Sequence, residues 1–107
     1  MTRLTSHPHN PHHVFADDAL YFVTGAILHH TPLLCPNSHK QHLQEQLLEL
    51  ALAYNLDLKA WVILDNHYHV LFRLPIGENL SSFIRSLHTR TAVAFNQWDN
   101  QAGRQVW

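Results

Sequence analysis

The segment from Trp61 to Pro75, WVILDNHYHVLFRLP, constrains the fold of this chain more than any other. Two runs rich in β-branched, aromatic and aliphatic residues flank Asp65-Asn66, a pair with turn chemistry. The simplest reading is an antiparallel hairpin with strands at about Leu58 to Leu64 and His67 to Leu74. Successive side chains of a strand point to opposite faces. Tyr68, Val70, Phe72 and Leu74 therefore make one wholly apolar face that must be covered, and His67, His69, Leu71 and Arg73 make the other.

The cover is found on either side of the hairpin. Leu43, Leu47, Leu50, Ala51 and Tyr54 recur at helical spacing after Ser38 and Gln41, which have the spacing of a capping box. This helix ends near Asn55. A second helix, with Asn79 as its cap, carries a stripe of Leu80, Phe83, Ile84, Leu87, Thr91, Ala94, Phe95 and Trp98. Ahead of both, Ala19 to Leu28 (ALYFVTGAIL) reads as a strand, and His29 to Asn37, with Pro32 and Pro36, as a loop. Gly103 breaks the chain before Gln105-Val106-Trp107, which opens another strand. The expected fold is α+β, a ferredoxin-like β-α-β-β-α(-β) plan with both helices on one face of an antiparallel sheet and its last strand cut short. One domain over residues 19–107 follows, preceded by an arm over residues 1–18. His7, His9, His12 and His13 lie there among Pro8, Asn10 and Pro11, a composition that favours an extended, flexible arm.

A chain of 107 residues supports one core and not two. A single cysteine, Cys35, excludes an internal disulfide and fits a reducing cytoplasm. No apolar run approaches the roughly 18 residues of a membrane span, and the N-terminus lacks the apolar stretch of a secretory signal. The formal net charge of −1 argues against a strongly basic nucleic-acid binder. From Asn79 onward, however, Arg85, Arg90 and Arg104 stand against one acid, Asp99.

His67 and His69 project side by side from the uncovered face, where two imidazoles can share one divalent ion and leave positions open for substrate oxygens. Taken alone, an H-x-H pair is more often simply a polar strand face. His39 and His42 read as part of a solvated helix face, and His88 lies off its helix's apolar stripe, near the sheet edge or in water. Tyr54 and Tyr68 read as core, and so does Tyr21. Arg73 shares the histidine face and is placed either to meet a phosphate or simply as a surface charge.

The stretch Asn66-His67-Tyr68-His69-Val70-Leu71-Phe72 resembles the signature of the single-tyrosine HUH transposases, including the REP-associated tyrosine transposases. Ala60 to Leu64 is similar to the strand before that signature, Tyr21 to Thr24 to the family's first strand, and Leu80 to Arg85, Phe95-Asn96 and Gly103 to Trp107 to later segments. Asp65 stands where the family usually has proline, a carboxylate beside the histidines.

The resemblance implies a metal pair at His67 and His69 holding Mn²⁺ or Mg²⁺, with two nitrogen ligands favouring manganese. It implies a single-stranded, hairpin-containing DNA partner contacted through Asn66, Arg73, Arg85 and Arg90, and either a monomer or a homodimer. The complete enzyme would nick and join DNA through a tyrosine on a helix expected beyond Trp107, so no catalytic residue is assigned within the chain. Two other functions compete: a hairpin-binding module or regulator without chemistry, and an RNA-binding ferredoxin-like domain using strand aromatics. All place the protein in the cytoplasm, with no membrane partner.

Overall fold

The computed structural model describes residues 2–4 and 15–107. Its elements in chain order are β1 (Thr2–Leu4), β2 (Ala19–Ala26), α1 (Asn37–Ala53), β3 (Asp57–Ile63), β4 (His67–Leu74) and α2 (Leu80–Trp98), with short 3-10 turns at Leu28–His30 and Gly77–Asn79. The four strands form one antiparallel sheet in the order β1-β2-β4-β3. From β2 onward this is the expected ferredoxin-like plan, in which β4 inserts between β2 and β3 and both helices cover one face.

The alternation read from β4 is the alternation found. Tyr68, Val70, Phe72 and Leu74 are buried, and Tyr21 and Val23 of β2 pair with Phe72 and Val70 on the same side. Leu43, Leu47 and Leu50 of α1 and Leu80, Phe83, Leu87 and Phe95 of α2 complete this core. Phe72 meets Phe83 edge-on at 5.3 Å, a favourable aromatic geometry. Gly25 is fixed by the same packing, because a Cβ there would run into the Tyr68 ring.

Both long helices end on an asparagine in the left-handed region, Asn55 (φ 56°) and Asn100 (φ 55°). The amides beyond them, Leu56 N–H to the Ala51 carbonyl and Gln101 N–H to the Asn96 carbonyl, close the last turn from outside. The α1 start differs from expectation. It begins at Asn37, so Ser38 lies inside the first turn and makes no capping bond; the Pro36 carbonyl instead receives the His39 and Lys40 amides at 3.0 and 3.2 Å. Asn79 occupies the cap position of α2 but likewise makes no side-chain bond, having an αR backbone where a cap needs an extended one.

Three further expectations change. The segment expected as an arm contains β1 at Thr2–Leu4, paired with Val23 to Gly25. Residues 15–18 are tied down as well. Asp17 accepts the Gly77 amide at 2.8 Å, and the Ala16 carbonyl accepts the Tyr21 hydroxyl at 2.7 Å. The histidine-rich stretch from His7 to His13 lies outside the described residues. At the other end Gln105 to Trp107 is not a strand; the Val106 carbonyl accepts the Leu28 amide at 2.9 Å, the Trp107 indole donates to the Thr91 hydroxyl at 3.0 Å, and Val106 is buried in the core. Trp98, expected in the buried stripe, is half exposed.

Candidate metal centre on the open sheet face

β4 begins at His67 because the turn before it is held from several directions. The Asp65 carbonyl accepts the Leu34 amide, the Asn66 carbonyl accepts the Ile27 amide, and Leu64 N–H bonds to the His67 carbonyl, all at 2.8–2.9 Å. Lys40 of α1 reaches over with its ammonium 2.6 Å from an Asp65 carboxylate oxygen and 2.8 Å from the Leu34 carbonyl. The carboxylate that stands beside the histidines in sequence is therefore engaged with a lysine.

From that turn the strand carries His67 and His69 on the uncovered face, both half-buried, with ring centroids 4.9 Å apart. Each ring is oriented through Nδ1. His67 Nδ1 donates to Asn66 Oδ1 at 2.7 Å, and His69 Nδ1 lies 2.8 Å from the Thr24 hydroxyl on β2. The first bond fixes the His67 tautomer that leaves the Nε2 lone pair available. The second holds the His69 ring through Nδ1, where the Thr24 hydroxyl can either accept or donate. Outer partners on one imidazole nitrogen are the arrangement that orients a metal-ligating histidine. The donor set thus fits one divalent ion at the two Nε2 atoms. Among the described residues no group of three histidines, cysteines or carboxylates gathers into a larger site.

The other residues read from the sequence are dispersed. Asn66 joins the pair, but its side chain serves His67 and the His30 carbonyl (3.4 Å). Arg73 shares the histidine face at the far end of β4, exposed, its guanidinium donating to the Asp18 carbonyl at 2.7 Å. Arg85 and Arg90 lie on α2, in the layer behind the sheet; both are exposed, and Arg90 bonds Gln46 of α1 at 3.2 Å. Thr24 was not singled out by the sequence, since only the β2–β4 register puts it opposite His69.

The three tyrosines all serve packing. Tyr21 and Tyr68 are 2 % exposed on the helix-covered face, and Tyr54 packs edge-on to Phe83. The Tyr68 hydroxyl is 2.8 Å from His88 Nε2, and the His88 ring stacks on Trp107 at 4.3 Å. His88 accordingly turns inward, neither to the sheet edge nor to water, and burial pushes its pKa down to about 3. Burial pushes the Tyr68 phenol up.

His39 and His42 also depart from the solvated face expected of them. His39 is 4 % exposed, stacked on Phe95 and bonded to Asp99 at 3.1 Å. Arg104 bonds the other Asp99 oxygen at 2.8 Å and, with help from His39, holds that carboxyl below its ordinary range. His42 packs edge-on to Trp98 at 5.0 Å.

No described helix is long and apolar enough to cross a membrane. Nothing among the curated proteins matches the chain. A solved structure of a REP-associated tyrosine transposase bound to a REP hairpin shares the fold, with a TM-score of 0.66 at 21 % identity over 88 % of this chain. The match takes in 53 % of that protein, so the chain spans about half its length. The family model described as "Transposase IS200 like" matches residues 31–107, which include both helices, β3 and the histidine strand. The chain belongs to the family of IS200-like transposases.

Proposed function

We propose that this chain is the DNA-binding and metal-binding half of a transposase acting on single-stranded DNA. The observation that carries the reading is the pair of imidazoles on the open sheet face, each held through Nδ1 with ring centroids 4.9 Å apart. His67 and His69 would hold Mn²⁺ or Mg²⁺. A divalent ion in that position supplies Lewis-acid polarisation of a scissile phosphate oxygen. Asn66 and Thr24 orient the two rings, and Arg73 adds positive charge on the same face for the DNA backbone. Arg85 and Arg90, behind the sheet, are candidates for contacts to a hairpin stem. A hairpin substrate is suggested by the structural neighbour, whose bound DNA is a REP hairpin.

A second reading concerns the chain on its own. Its three tyrosines are occupied in packing, and none stands on the face of His67 and His69. As folded, the chain grips DNA without forming a phosphotyrosine link. The test is incubation with hairpin-bearing single-stranded oligonucleotides and Mn²⁺, read by retardation and by denaturing gel. The expected result is hairpin binding with no covalent adduct. An adduct that disappears in His67→Ala would overturn the second reading, and absence of any DNA binding would overturn both.

A further inference from the structure

The open face is not uniformly polar. Leu20 and Phe22 of β2 and Leu71 of β4 share it with the histidines, following the register that pairs Phe22 with Leu71. β3 joins them through an irregularity. Its register with β4 shifts between Leu58 and Ala60, so Leu58 pairs with buried Phe72 while Ala60 and Val62 pair with Leu71 and His69. Without that bulge Ala60 and Val62 would fall on the helix side; bulges commonly re-aim side chains in this way beside functional sites.

The result is a shallow cavity of about 230 Å³ lined by Phe22, Ala60, Trp61, Val62, His69 and Leu71. The Phe22 ring lies nearly parallel to the His69 ring, with centroids 5.4 Å apart and planes inclined by 16°. Among the described residues no charged side chain lines the cavity, and Val62 remains 45 % exposed although apolar. His69 belongs both to this shelf and to the metal pair. The shelf therefore begins where a phosphate held at Nε2 would end.

We propose that the shelf receives one nucleobase of the single strand, adjacent to the phosphate that meets His67 and His69. The inference rests on the single-stranded DNA reading above and adds to it a stacking subsite. Apolar and aromatic walls meet a base through its π-face, which every base has. With no charged group to read base edges, the subsite registers the strand by stacking and discriminates weakly among bases.

The experiment is an abasic scan. The full chain, in the presence of EDTA, is titrated with a hairpin oligonucleotide whose single-stranded flanks carry an abasic site at each position in turn. One position is expected to weaken binding by about tenfold, the scale of one base-stacking contact. Phe22→Leu weakens binding of the intact flank by a similar factor and adds little when combined with that abasic site. Ala60→Phe, which fills the shelf from an exposed position, gives the same pattern and carries the test should Phe22→Leu fail to fold. A flat abasic profile, or losses that multiply in combination, overturns the shelf while leaving the DNA reading intact. A chain that binds no single-stranded DNA overturns both.

Discussion

On one side of the sheet Tyr68, Val70, Phe72 and Leu74 are at most 2 % exposed; on the other His67, His69 and Leu71 are half-buried and Arg73 is exposed. The two sides belong to the same eight residues, so local propensity does not separate them. What separates them is the layer of α1 and α2, which closes one side and leaves the other open. The histidines show the same division. His39 and His88, behind the sheet, spend ring nitrogens on Asp99 and Tyr68 and their ring faces on Phe95 and Trp107. His67 and His69 are bonded through Nδ1, and the His69 ring lies beside Phe22 on the open face. Histidine is a packing group on the closed side; on the open one the pair of His67 and His69 is the proposed ligand set.

The sharpest way to break this comparison is to cut into each side separately. Phe72→Ala removes a ring with no exposure from the centre of the closed side and should cost about 4 kcal/mol in denaturant unfolding. Val62→Thr, on the open side, should stay within about 0.5 kcal/mol. Similar losses for both would mean that the open side is covered as well.

A smaller effect concerns His88, behind the sheet. His88 titrates near 3 when folded, against about 6.5 when unfolded. Its contribution is whole above pH 6.5 and is lost as pH falls toward 3, because only the unfolded chain takes up the proton. Between pH 6.5 and 5 the loss is about 2 kcal/mol. Unfolding followed across that window should show a slope that His88→Gln flattens.

Much of this was readable in advance, and the reason is periodicity. The β4 bounds, the opposed faces of Tyr68 and His69 and the apolar stripes of α1 and α2 follow from residues close in sequence. The rest depends on residues far apart. Thr24 reaches His69 only through strand register, and His39 is buried because α2 delivers Phe95 and Asp99 to it. Ala60 and Val62 face outward because of a bulge that no alternation pattern reveals. Asn66 stood out in the sequence as a candidate DNA contact, not as the partner of the histidine beside it.

That last point gives the mildest prediction. Asn66→Ala should leave stability nearly unchanged and weaken Mn²⁺ binding by about tenfold, the lower end of what outer partners contribute to metal affinity. Calorimetric titration of the two proteins distinguishes this from no effect, which would mean that the His67 ring needs no orienting partner.

The central claim is that one divalent ion binds between His67 and His69. It is tested most directly by following the histidine side-chain resonances while Mn²⁺ is added in substoichiometric amounts. The account predicts that the signals of His67 and His69 broaden first and together, while those of His39, His42 and His88 stay sharp, and that His67→Ala abolishes the effect. Broadening that begins at the N-terminal histidines, or that persists in His67→Ala, would contradict it.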